Sequence, residues 1–438
     1  MDSSAAPTPR PLGRDDYKTL SLAALGGTLE FYDFVIFVFF TKVLGHLFFP
    51  PTMPDWMVQL QTLGIFAAGY LARPVGGIII AHFGDKLGRK KMFTLSIFLM
   101  SLPTLVIGIM PTYATIGIAA PLLLLLMRVL QGAAIGGEMP GAWVFVAEHV
   151  PKHRYGFGVG TLTAGITGGI LLGSLIAILI NKVFTPEEVS DFAWRIPFVI
   201  GGVFGFVSVY LRRFLGETPI FKELAAKREL ASEMPVKTVI RDHRLACLIT
   251  AALTWSLSTA VVVVILMTPN LLQSAYGISA SAAMAANCVA TLTLTIGCIL
   301  FGYLVDRIGT RLTMLICWGG LAVTSYIFYL NLPGISDGQL MFNYGLVGFF
   351  CGSIATMPIV GVRAFPPAIR FSGLSFAYNM AYAVFGGSTP VLTQLWLQQD
   401  RLAGAHYVAA VSILAVVVAM MPLAVRGWQE RKGGASLA

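Results

Sequence analysis

About twelve stretches of roughly 20 apolar residues recur along this chain, divided by short polar connections, and each is long enough to cross about 30 Å of hydrocarbon as a helix. No other feature narrows the possible folds as far. Of the 438 residues, 56% are hydrophobic and only 12% charged, against roughly a quarter charged in soluble domains. In water such a chain would expose large apolar patches, whereas lipid accepts an apolar exterior. The spans begin near Thr19, Met57, Lys91, Thr115, Gly156, Trp194, Arg244, Ser281, Leu312, Gln339, Ser372 and Ala405. The fold expected is an all-α membrane protein. Its five cysteines fall within or at the edges of these spans without metal-ligand or CxxC spacing, as buried small hydrophobes do.

Basic residues cluster in alternate connections. One side holds Arg10, Arg14 and Lys18, the 84–91 turn, Lys152 with Arg154, the 212–244 segment, Arg307 with Arg311, Arg370, and Arg426, Arg431 and Lys432. The other side has only Lys42, Lys182, Arg195 and Arg401. The positive-inside rule puts both termini in the cytoplasm, as in a multi-pass protein of the bacterial inner membrane. The formal net charge of +9 is spread through short turns, so no nucleic-acid partner is expected. Residues 1–18 read as a cytoplasmic tail, because they lack the apolar run and cleavage site of a signal peptide. The long charged connection from Glu217 to Asp242 reads as an amphipathic helix on the membrane surface. The expected division is a first six-helix bundle over 19–215, a linker over 216–243, a second bundle over 244–426 and a tail over 427–438.

The two halves repeat. Gly84-Asp85-Lys86-Leu87-Gly88-Arg89-Lys90 follows the second span and Val305-Asp306-Arg307-Ile308-Gly309-Thr310-Arg311 follows the eighth. Pro151-Lys152-His153-Arg154-Tyr155-Gly156 follows the fourth, and Pro367-Ala368-Ile369-Arg370-Phe371-Ser372-Gly373 the tenth. Parallel six-span repeats related by an axis along the membrane normal describe a two-bundle transporter with its solute site between the bundles. An Asp in such a turn caps a helix start or pairs with nearby Arg and Lys. Asp85, Arg89, Asp306 and Arg307 are therefore the expected gating residues.

These motifs resemble the major facilitator superfamily and, within it, the metabolite:proton symporter branch. The superfamily's G-x-x-x-D-[RK]-x-G-[RK]-[RK] turn is matched by Asp85, Lys86, Gly88, Arg89 and Lys90, with Ala81 where the first Gly is expected. In the second copy Thr310 replaces a basic residue, so weaker locking is expected there. Gly27-Thr28-Leu29-Glu30-Phe31-Tyr32-Asp33-Phe34 is similar to the branch's first-helix motif, Arg73-Pro74-Val75-Gly76 to its RPxG, and Arg128-Val129-Leu130-Gln131-Gly132 with Gly136-Gly137-Glu138 to its fourth-helix motif. Phe385-Gly386-Gly387-Ser388-Thr389-Pro390 matches its eleventh-helix region. The resemblance implies twelve helices and proton-coupled import of organic acids (citrate, 2-oxoglutarate, shikimate) or of zwitterions such as proline and betaine. The stretch after Arg426 is too short for the coiled coil of osmosensing members, which weighs toward a di- or tricarboxylate. The alternatives are a zwitterion importer and a solute sensor that does not transport.

Charges inside a membrane cost about 2.5–3.5 kcal/mol each on insertion scales and are functional candidates by default. Glu30 and Asp33 share one helix face, and burial disfavours the charged form of at least one of them, as proton coupling requires. Glu138 is a third candidate for the proton. Arg128 is the expected partner of Glu30 and Asp33 or a direct anchor for a solute carboxylate, while Glu138, ten residues on and about 15 Å along the helix, is expected at a different depth of the same pathway. Gln131, Tyr378, Asn379 and Asn287 are polar enough to line a cavity, or else to bond between helices. Arg73, beside Pro74, is expected to reach the cytoplasmic interface by snorkelling. Glu148-His149 with His153 superficially suggests a zinc helix, but the order is EHxxxH and Pro151 interrupts it. No phosphate-cradling loop is present. Neither metal, cofactor nor enzymatic activity is expected, and the partners expected are a small organic solute, a proton and the bilayer, with the protein a monomer.

Overall fold

The computed structural model describes residues 11–227 and 235–422, apart from a few side chains within helices, that of Glu30 among them. The expectations for Glu30, for Arg228 and Glu229 and for the outermost residues therefore lie outside the described residues. The described chain forms long helices where the apolar spans were read: α1 Arg14–Phe39, α2 Asp55–Leu87, α3 Arg89–Ile109, α4 Ala119–His149, α5 Tyr155–Val183 and α6 Arg195–Arg212. The second half gives α7 Arg244–Tyr276, α8 Ala280–Ile308, α9 Thr310–Asn331, α10 Asp337–Ala364, α11 over 370–397 and α12 Ala403–Ala419. Ten are long and apolar enough to span a membrane individually. The other two are α11, whose helix widens to a π-turn at Tyr382–Gly386 and carries Pro390, and the shorter α12.

The connections α2–α3 and α8–α9 turn on Gly88 and Gly309, with φ of 120° and 85°. That region is strained for any residue with a Cβ, which explains a glycine at both copies of the turn. In the long linker, Pro219–Ala226 and Pro235–Asp242 are helical; most of the residues between them, which would join these into the single amphipathic helix expected, lie outside the described residues.

Packing repeats as the sequence does. In the first half α1 lies on α5 and α6, α2 on α4, and α3 on α4 and α6. Six helices later α7 lies on α11 and α12, α8 on α10, and α9 on α10 and α12. The most extensive contacts between halves are α5 with α8 and α2 with α11, which exchange under the same relation. The fold is two six-helix bundles about a pseudo-two-fold axis. One apolar core runs through both halves, and a second fills the first half around Phe48 and Trp194. Large apolar side chains such as Leu71, Leu248 and Phe342, each about two-thirds exposed or more, cover the outside where lipid would lie.

Candidate functional site

The halves meet most tightly at the face carrying the basic turns. Asp85, ending α2, accepts a hydrogen bond at 2.8 Å from the backbone N–H of Ser372, in the first turn of α11. Asp306, ending α8, accepts at 2.7 and 2.8 Å from the N–H groups of Gly156 and Phe157, in the first turn of α5. Each carboxylate thus sits on the positive end of a helix in the opposite half. The first copy adds a buried charge network. Arg89 pairs with Glu148 and stands 3.5 Å from Asp85, and Glu148 also binds Arg370 at 3.0 Å. In the second copy, among the described residues, no second carboxylate bridges the arginines as Glu148 does. Arg307 is exposed and bonds Tyr303 of its own helix at 2.8 Å, and Arg311 turns to the sulfur of Met420. Expecting Arg307 to hold the halves together is thereby corrected: it points away from the seam. Glu148, passed over as part of a false metal motif, bridges them. Its signal was its position at the end of α4, facing two repeated arginines.

At the level of the π-turn, the halves enclose a cavity of about 30 Å³, lined among others by Phe31, Arg73, Trp143, Val261, Tyr378 and Tyr382. Arg73 is 3% exposed. It lies fourteen residues before Leu87, about 21 Å from the end of α2 at 1.5 Å per residue, so it does not snorkel. Glycines set its depth: a Cβ on Gly136 would strike the Arg73 carbonyl and one on Gly132 the Gly69 carbonyl, so α4 lies directly against α2. The Arg73 guanidinium carbon stands 4.2 Å from the ring centre of Tyr382, 5.4 Å from Tyr378 and 5.7 Å from Tyr70. One nitrogen donates to the Tyr378 hydroxyl at 3.3 Å. Among the described residues no carboxylate pairs with it. On the opposite face two clefts of about 520 and 570 Å³ open, one beside Arg401, the other beside Lys42 and Asp55, and Asn270 borders both.

The remaining expected residues separate into three places. Inside the first half, Arg128 donates to Gln131 at 2.9 Å, and Gln131 donates to the Thr104 hydroxyl at 2.6 Å. Asp33, 1% exposed, borders Gly201 and Thr104, and the Thr104 hydroxyl is the hydrogen-bonding group beside its carboxylate. Glu138 pairs instead with Arg212 of α6 at 2.9 Å and accepts from Ser96 of α3. Ten residues along α4 separate Glu138 from Arg128, as the sequence spacing implied, and the Glu138 carboxylate meets α6. Asn379 donates to the Gly136 carbonyl at 2.6 Å across the seam, and Asn287 accepts from Tyr344 at 2.7 Å within the second half. Only Tyr378 among the expected solute contacts lines the central cavity.

Two helical bundles sealed reciprocally at one face, with clefts at the other and a buried charge between, define a membrane transporter that works by exposing one site alternately to each side. Residues 34–390 match the model of the Major Facilitator Superfamily, and the chain belongs to that family. A putative proline/betaine transporter of Staphylococcus aureus (strain COL) is 34% identical over 410 residues, covering 92% of this chain and 87% of the relative. The proline/betaine transporter of Salmonella typhimurium is 31% identical over 420 residues, covering 91% and 82%. Among solved structures, the proton:xylose symporter XylE superposes with a TM-score of 0.77 at 16% identity, over 92% of this chain and 94% of that one. At that identity the likeness concerns the fold.

Proposed function

We propose that the chain imports a small zwitterion of the proline or betaine type together with a proton, with Arg73 receiving the solute carboxylate. The observation that carries this reading is Arg73 itself: a guanidinium buried between the halves, bordering a cavity that both line, and with no carboxylate paired to it among the described residues. A buried cation without a counter-ion is costly, and a solute that brings a carboxylate relieves that cost. The sequence reading put di- and tricarboxylates first. Relatives named for proline and betaine, at 31–34% identity over more than nine-tenths of the chain, favour the zwitterion instead. A single buried guanidinium also suits one carboxylate better than two or three.

In this reading the basic face is cytoplasmic. The solute comes in through the clefts on the far face, the central cavity widens to admit it, and the Asp85 and Asp306 caps release so that the basic face opens. Asp33, buried inside the first half beside Thr104, holds the proton. Thr104 and Gln131 connect it to Arg128. The test is uptake of labelled proline, betaine, citrate and 2-oxoglutarate into proteoliposomes with and without an inward proton gradient. Gradient-dependent accumulation of a zwitterion is expected; accumulation of citrate or 2-oxoglutarate alone would overturn the reading.

A further inference from the structure

The chemistry around Arg73 specifies more than a carboxylate anchor. A guanidinium carries five N–H donors, yet among the described residues this one meets tyrosine hydroxyls alone, that of Tyr378 at 3.3 Å and that of Tyr382, and its Nε meets none. What surrounds it are ring faces. Tyr70 and Tyr382 stack with planes 10° apart and centroids at 5.6 Å, Tyr378 leans on Tyr382 at 5.4 Å, and Trp143 meets Tyr378 edge-on at 5.2 Å. The guanidinium carbon lies within 6 Å of three of these centroids, the range in which a cation is held by ring quadrupoles. The tyrosines come from both halves, Tyr70 on α2 and Tyr378 and Tyr382 on α11, the last beginning the π-turn. A cage rich in π faces and poor in acceptors fits a cation that has no N–H to satisfy better than it fits a guanidinium.

From this, and resting on the zwitterion reading, we infer that the ring cage around Arg73 is the subsite for a quaternary ammonium group, which the Arg73 guanidinium occupies until a solute carboxylate draws it out. The carboxylate and the ammonium are then both needed, because the first frees the place that the second fills. A trimethylammonium without a carboxylate cannot evict Arg73. An N–H-bearing ammonium enters less well wherever one of its donors goes unmet among the ring faces; an unsatisfied buried donor costs about tenfold in affinity.

Binding of labelled glycine betaine, proline and choline to the purified full-length protein in nanodiscs tests this. The wild-type chain is expected to bind betaine about tenfold tighter than proline and to show no measurable binding of choline. Arg73→Gln is expected to weaken betaine at least tenfold and to gain choline binding, which Tyr382→Leu in the same background removes and Tyr382→Phe keeps. Folded Arg73→Gln protein that binds choline no better than wild type overturns the cage. If Arg73→Gln does not fold, the single variants decide: Tyr382→Phe should hold betaine and Tyr382→Leu should lose it about tenfold, and equal affinities overturn the proposal. Failure of the wild-type chain to take up any zwitterion would overturn the transport reading, while the gain of choline binding would still report on the cage.

Discussion

Glu138 and Arg212 show how differently buried charges behave once their partners are known. Both side chains are at most 3% exposed and 2.9 Å apart, and Arg212 also donates to the Phe93 carbonyl at 2.7 Å. Removing one partner of such a pair strands the other, at about 3–5 kcal/mol. Arg212→Gln should therefore lower the unfolding midpoint strongly, and Glu138→Gln added to Arg212→Met should restore most of it, as read by thermal unfolding in detergent. Asp33 is the opposite case, a buried carboxyl group with no ion pair among the described residues. Asp33→Asn is expected to leave solute exchange across proteoliposomes nearly intact while abolishing accumulation against a gradient. Undiminished accumulation by a correctly inserted Asp33→Asn protein would remove Asp33 from the proton path.

At the scale of elements, helix ends do the sealing. Asp85 and Asp306 each cap a helix that begins in the other half, a contact worth about 0.5–2 kcal/mol. Asp306→Asn should loosen the α5–α8 seam, where Cys298 is wholly buried with its carbonyl facing Gly160. Alkylation of Cys298, followed by mass spectrometry, is expected to rise severalfold in that variant and to stay unchanged in Arg307→Gln. The α2–α11 seam has the Glu148 bridge as well, so Asp85→Asn alone should open it less than Glu148→Gln does. Closeness of α2 and α4 is equally exacting. Gly136→Val would push against the Arg73 carbonyl, and loss of solute binding without loss of membrane insertion is the expected outcome.

For the molecule as a whole, two seams at one face and clefts at the other predict opposed movements. Spin labels at Lys86 and Arg307 should separate when solute and protons are added, while labels at His46 and Asn270 approach, as double electron–electron resonance would read. Parallel changes at both faces would contradict rocking of the two halves. Much of this was legible beforehand. The helices begin within about five residues of the apolar runs, usually earlier, because first turns such as Arg14-Asp15-Asp16 and Arg89-Lys90-Lys91 are polar. The repeated turns marked Asp85 and Asp306 without saying which helix each caps; the pairing of α2 with α11 and α5 with α8 came from the packing.

The chain by itself determined the number of spans, the basic face and the internal repeat, because each follows from local hydropathy, charge and spacing. Which charged residue meets which was decided only by tertiary structure. Helical periodicity tells which side chains share a face and says nothing of what faces them. The contacts that matter join Arg212 to Glu138 across 74 residues, Arg370 to Glu148 across 222 and Arg73 to Tyr378 across 305. Arg73 read alone is a residue able to snorkel. Only the approach of α11, from the other half, makes it a buried cation ringed by tyrosines.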